Sequence, residues 1–201
     1  MLRILGLTGN IASGKTSVGQ MLLSLGAERY IDTDALVHRL YEAHQPIALA
    51  VSELFGPAVL ASDGSVDRHK LGGIVFHNAE AMKRLEQIVH PAVDAALLAE
   101  LSQSSPTGIV VVDGVKLLEA PSGALCQQKW LVVCPAEQQI ARLIARNHLN
   151  LEDAQTRVRA QPDITRRLTL VDVVIDNGGT LEQTRLQVEA AFARFCQLFP
   201  A

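Results

Sequence analysis

Gly9-Asn10-Ile11-Ala12-Ser13-Gly14-Lys15-Thr16 fits the pattern G-x-x-x-x-G-K-[ST] at every fixed position. Glycines at both ends let the backbone turn tightly, so that successive N–H groups converge on one point. An anion placed there also meets the positive end of the helix that follows. Lysine in the seventh place can reach β- and γ-phosphate oxygens, and a hydroxyl in the eighth can ligate Mg²⁺. The eight residues predict a cradle for the phosphates of a nucleoside triphosphate, with Lys15 as its cation and Thr16 as its metal-side hydroxyl. The bland alternative is a glycine-rich turn with a solvated lysine. An apolar run before the motif and a helical pattern after it argue against that alternative.

Three further groups could act on a bound triphosphate. Asp32-Thr33-Asp34 follows a short strand-like run. A carboxylate at the carboxyl end of a strand faces the ligand crevice of an open α/β sheet, where it can take or orient the proton of an attacking hydroxyl. Asp32 reads equally well as the cap of the next helix. Asp113 ends the run Val110-Val111-Val112 and has two readings, a carboxylate beside Mg²⁺ or the start of a turn. The third group is six arginines within 26 residues: Arg142, Arg146, Arg157, Arg159, Arg166 and Arg167, with no lysine after Lys129. Guanidinium forks suit polyphosphate oxygens and the charge spread over a transferring phosphoryl group. Any one of these arginines is more readily read as part of a solvated helix face, whereas the cluster behind a phosphate loop predicts a closing lid. Arg142 and Arg146, at i and i+4, share a face. His90, next to Pro91, reads by itself as a packed residue at a helix break. The remaining histidines have no metal-ligand spacing.

The elements that must position these groups alternate. Leu2–Thr8, Ile109–Asp113, Trp130–Cys134 and Val171–Asp176 are short, apolar and often β-branched, and predict buried strands; Arg29–Asp32 is a weaker fifth. Helical periodicity marks Ser17–Leu25, Glu80–Leu101 with a break at Pro91, Glu137–Arg146 and Thr180–Phe199, the last opened by a Thr180–Gln183 capping box. The expected fold is α/β: a parallel five-stranded sheet with helices on both faces. The 201 residues predict a single domain, with a core at 1–34, 104–146 and 170–201. A helical insertion is expected at 35–103, and a small Arg-rich helical lid at 147–169.

Composition narrows the partners. Eighteen Lys and Arg against 21 Asp and Glu leave a net charge of -3, and aromatics are only 4% of the chain. A broad nucleic-acid face would be more basic, and a single-strand platform richer in aromatics, so no nucleic-acid partner is expected. Cys126, Cys134 and Cys196 form neither a disulfide framework nor a zinc cage, which suits a reducing, cytoplasmic setting. No apolar run reaches membrane-spanning length, and the first residues do not make a signal peptide. A monomer is compatible with the sequence, which does not set an oligomeric state.

No Asn is followed by Lys, so the guanine-reading N-K-x-D of GTP switches is missing, and the chain is short for a motor ATPase. A small-molecule kinase fits best. Over essentially its whole length the sequence resembles the dephospho-CoA kinases. The resemblance rests on GLTGNIASGKT, IDTDALVHRLY, RLEQIVHPAV, VVVDGVKLLE, the R-x-x-x-R of Arg142 and Arg146, and VDVVIDNGGT.

The resemblance implies transfer of the ATP γ-phosphoryl group to the 3′-hydroxyl of the dephospho-CoA ribose. It implies Asp34 as the base or hydroxyl-orienting group, Ile11 to Thr16 on ATP, and Arg146 as a lid contact to the phosphates. Arg142 becomes a further phosphate contact, and His90 joins the acceptor-binding helical region. Where the family reads D-x-P-L-L-x-E this chain has Asp113-Gly114-Val115-Lys116-Leu117-Leu118-Glu119, so the acceptor wall differs. Lys116 there either adds a phosphate contact or is solvated. Two other readings are another metabolite kinase of this fold, such as a shikimate or gluconate kinase, and a non-catalytic nucleotide-binding regulator. Shikimate kinases bring a G-G-R-G turn that is absent here.

Overall fold

Apolar, β-branched runs that must be buried on both faces form the centre of the fold. The computed structural model describes residues 1–201. Five parallel strands are present: β1 (Arg3–Thr8), β2 (Arg29–Asp32), β3 (Ile109–Asp113), β4 (Gln128–Val133) and β5 (Val173–Asp176). Their order is β2-β3-β1-β4-β5. β3 is buried along its whole length, as a strand covered by helices on both sides must be. At the sheet edge β5 buries only Ile175 fully. β4 starts two residues earlier than its apolar run, because Gln128 and Lys129 pair with Leu5 and Gly6 of β1.

Nine helices accompany the strands: α1 (Lys15–Ser24), α2 (Thr33–Leu40), α3 (Pro46–Phe55), α4 (Arg68–Val75), α5 (Ala79–Leu101), α6 (Ala136–Asn147), α7 (Leu151–Arg159), α8 (Ile164–Leu168) and α9 (Leu181–Leu198). The chain divides into two compact units, one made of residues 1–32 and 103–201 and the other of 33–102. The second unit begins at Thr33 because that residue already opens α2. Asp34 therefore lies in the first turn of a helix, beyond the end of β2 where the sequence reading put it.

In the first unit, α1 and α9 cover the sheet. Leu5, Leu7, Val18, Leu22, Trp130, Val188 and Phe195 are fully buried in its core. Thr180 caps α9 with the reciprocal Gln183 bonds that its capping box predicts. In the second unit, Tyr41, Val51, Val59, Leu71, Val75, Leu85 and Val89 gather from separate helices into a core of their own. α5 runs unbroken through Pro91, where a break was expected. Proline removes one backbone bond and crowds the preceding turn, but Leu85 and Val89 before it and Leu97 and Leu101 after it are all buried. Burial of that stripe on both sides of Pro91 outweighs the local loss.

Candidate active site

The sequence places the G-x-x-x-x-G-K-T loop where the sheet order reverses. β1 has β3 on one side and β4 on the other, so the loop leaving Thr8 opens onto the crevice at the carboxyl ends of the strands. Gly14 is the N-cap of α1 at φ 100, a left-handed backbone that a side chain would strain, and it offers the helix no side-chain cap. The first N–H groups of α1 thus have no capping oxygen and present the helix's positive end. Ala12 also sits in the left-handed region, at φ 57.

Two side chains hold this strained loop from behind. Arg142 of α6 donates through Nη1 to Ala12 O at 3.2 Å and Ser13 O at 3.1 Å, and through Nη2 to Asn177 O at 3.0 Å. Asn177, just after β5, donates to Ser13 O at 2.8 Å, and its amide accepts from the Thr184 hydroxyl of α9 at 3.0 Å. These bonds to the Ala12 and Ser13 carbonyls hold the second half of the loop in one backbone conformation. Arg142 therefore clamps the loop through its carbonyls, a role the spacing alone did not reveal. Arg146, one turn on, is exposed and donates to Asn147 at 2.9 Å. Both arginines line a cleft of about 450 Å³ with loop and helix residues Ala12 to Ser17. This is a volume within the usual range for small-molecule sites.

The charges are focused at one end of the loop. Lys15 Nζ donates to Gly9 O at 3.1 Å and lies 4.0 Å from Asp113 Oδ1. Asp113 is buried at the end of β3, beside Leu7 of β1 and Asp32 of β2 in the register. The Tyr30 hydroxyl donates to Asp113 Oδ2. Burial first, and the Asp113 charge second, push the Tyr30 phenol far above its ordinary range, so it stays protonated. Cys134, at the end of β4, is also raised by burial, with Arg142 opposing.

Thr16 at the start of α1 and Asp113 at the end of β3 supply hard oxygens next to the phosphate cradle. No group of three or more His, Cys, Asp or Glu gathers anywhere as a metal cage. That donor set fits Mg²⁺, which takes one or two protein oxygens and fills its octahedron with phosphate oxygens and water.

The Arg-rich segment docks on the first half of the loop. Ile11 N donates to Gln161 Oε1 at 2.9 Å, and Asn10 Nδ2 to Pro162 O at 3.3 Å. Arg167 is only 2% exposed. It donates to Asn10 Oδ1 at 3.1 Å, to Thr8 Oγ1 at 2.8 Å and to Val115 O. It is a buried tie between the Arg-rich segment, the loop and the Asp113–Glu119 segment. Lys116 in that segment is exposed. Asp34 on α2 and His90 in the interior of α5 belong to the second unit. Tyr30, Gln161 and Asn177 went unread as site residues in the sequence, and Arg167 was read only as one cation of the Arg-rich cluster. Among the first three, only Asn177-Gly178-Gly179 carried a local signal, as a turn.

Known proteins resemble this chain over most of its length. A family model described as dephospho-CoA kinase matches residues 3–183. A dephospho-CoA kinase of Symbiobacterium thermophilum is 43% identical over 197 residues, covering 97% of this chain and 82% of its own. A solved structure from Thermus thermophilus is similar at TM-score 0.81 and 33% identity, over 96% of this chain and 97% of that one. A Campylobacter jejuni dephospho-CoA kinase has TM-score 0.61 and 26% identity, with coverage of 96% and 97%.

Proposed function

The chain belongs to the dephospho-CoA kinase family, and on that premise we propose that the residues described above carry the ATP γ-phosphoryl group to the 3′-hydroxyl of the dephospho-CoA ribose. ATP is the donor and a hydroxyl of dephospho-CoA the acceptor; the roles of individual residues are our reading. The observation that carries it is the phosphate loop clamped by Arg142 and Asn177, with Lys15 4.0 Å from the strand-end carboxylate of Asp113. Family membership removes the shikimate and gluconate kinase readings. The intact Lys15 and Thr16 count against a non-catalytic regulator.

In this reading the loop N–H groups and Lys15 bind the β- and γ-phosphates and stabilise charge as it moves toward the β–γ bridging oxygen. Arg146 adds a fork at the open side of the cleft, where its exposure leaves it able to turn onto the γ-phosphoryl group. Asp34 takes the proton of the 3′-hydroxyl as its oxygen forms the new bond to phosphorus and the bridging P–O bond breaks, releasing ADP. Thr16 and Asp113 would hold Mg²⁺, which when bound neutralises β- and γ-oxygen charge. Burial of Asp113 and its closeness to Lys15 support the metal-side reading, although the chain also enters a turn just after it. His90 remains an acceptor-side candidate on the family pattern, and Lys116, where this chain departs from that pattern, is a further one. Three free cysteines suit a reducing cytoplasm, and no helix is long and apolar enough to cross a membrane.

The test is ADP release from Mg·ATP with dephospho-CoA, shikimate or gluconate offered separately, in the parent and in Asp34→Asn. Dephospho-CoA alone should stimulate release. Asp34→Asn should bind ATP within about twofold of the parent yet lose roughly 10²–10⁴-fold in turnover, the usual worth of a positioned base. Undiminished turnover in that variant removes Asp34 from the mechanism.

A further inference from the structure

Tyr30 is in contact with both oxygen donors assigned above to Mg²⁺. Its Cα pairs with Val111 across β2 and β3, and Asp32 pairs with Asp113 two residues on. Residues i and i+2 share a face of a strand, so a long side chain leaning along β2 from position 30 reaches the carboxylate at 113. There the hydroxyl donates to Asp113 Oδ2. Thr16 stands within hydrogen-bonding reach of the same hydroxyl. With Oδ2 engaged in this way, Oδ1 is the oxygen turned toward Lys15.

The ring has a dedicated recess. Gly19, on the second turn of α1, lies directly beneath it, and a Cβ there would collide with the Tyr30 ring carbons. Gly19 is fully enclosed in a helix interior, where glycine costs about 1 kcal/mol relative to alanine. A core-filling aromatic could be seated in many ways. This seating places the hydroxyl at the junction of β3 and α1.

We infer that Tyr30 is a positioning residue for the metal side of the site, fixing the Asp113 carboxylate and the Thr16 hydroxyl relative to each other before Mg·ATP arrives. It acts through those two residues and does not touch the reacting atoms. The inference rests on the metal-side reading of Thr16 and Asp113. Mg²⁺ tolerates little departure from octahedral geometry and keeps several waters, so a carboxylate serving it must have one orientation. Groups that orient metal-side oxygens commonly change metal affinity by 10–100-fold when removed.

The experiment measures ATP affinity by calorimetry, first in EDTA and then across a Mg²⁺ titration, with Mn²⁺ spectroscopy of the nucleotide complex as a second readout. The variants are Tyr30→Phe, Gly19→Ala and Asp113→Asn. Tyr30→Phe keeps the ring and loses only the hydroxyl. It should leave the EDTA affinity within about twofold while raising the Mg²⁺ concentration needed for half of the metal effect by roughly tenfold. Gly19→Ala keeps the hydroxyl but displaces the ring, and should reproduce that shift; it carries the test if Tyr30→Phe does not fold. A normal Mg²⁺ response in both variants, with a weakened one in Asp113→Asn, overturns the role of Tyr30 and leaves the metal-side reading standing. An unchanged response in Asp113→Asn overturns the metal-side reading and this inference with it.

Discussion

Arg167 is one of six arginines in a stretch that reads as cationic surface, yet it is fully enclosed while its neighbour Arg166 is exposed. Burial pulls its pKa down from the ordinary value, and Glu119, 3.9 Å from Nε, pulls it partly back. Arginine keeps its proton under such conditions, and its fork matches three separate acceptors: Asn10 Oδ1, Thr8 Oγ1 and Val115 O. Arg167→Met should therefore cost about 3 kcal/mol, since each buried acceptor left unpaired costs about 1–3 kcal/mol and part of that is recovered by apolar packing. Arg167→Lys should recover little of it, because one ammonium cannot span the three positions. Urea unfolding midpoints of the two variants check this, and a lysine variant as stable as the parent would contradict the fork argument. The contrast with Lys15 explains what could be read at this scale. Lys15 is identified by seven neighbours in the chain, whereas Arg167 owes its role to Asn10, 157 residues away, which only the folded sheet brings near. The contact between Tyr30 and Asp113, 83 residues apart, was illegible for the same reason.

Elements were easier to read than their junctions. The strands declared themselves because a parallel sheet covered on both faces needs continuous apolar runs, and Val110-Val111-Val112 is such a run. Of the helices in residues 33–102 only α5 did, as Glu80–Leu101; α2, α3 and α4 did not, since they are ten residues or shorter and each buries only a few side chains into a shared core. Pro91 is the clearest conflict between local rule and observed element. Proline inside a helix costs about 3 kcal/mol, while its stiffness in the unfolded chain returns about 1 kcal/mol. Pro91→Ala should thus raise the stability of the unit containing α5 by about 2 kcal/mol, seen as a higher denaturation midpoint. A midpoint that stays put or falls would mean that α5 is bent at Pro91 in a way its packing requires. In that case the neighbouring His90 is placed by the bend, and acceptor affinity should fall along with the midpoint.

At the scale of the whole molecule the charge balance says less than the buried neutral groups. The net charge of -3 is small for 201 residues, so repulsion between like charges is not what limits stability near neutral pH. Burial does act on four uncharged acids. It pushes the Cys126 thiol from 9.0 up to about 12 and the Tyr41 phenol from 10.0 up to about 12, and it raises Cys134 and Tyr30 as well. Cys126 and Tyr30 lie in the unit of residues 1–32 and 103–201, Tyr41 in that of 33–102, so neither unit escapes the effect. The sign follows from which state holds the proton. Below pH 9 both folded and unfolded chains keep these protons, and their contribution is present in full. Above it the unfolded chain releases them while the folded chain does not, so stability falls as the pH rises toward 12. Each group can contribute a slope of up to about 1.4 kcal/mol per pH unit over its own window. Urea midpoints taken between pH 8 and pH 11 should therefore decline first through the thiols Cys126 and Cys134, whose windows open lowest. In the double variant Cys126→Ala, Cys134→Ala the decline should start about one pH unit later, where the phenols begin to titrate in the unfolded chain. If the double variant declines from the same pH as the parent, the thiols are not the groups that set the alkaline limit.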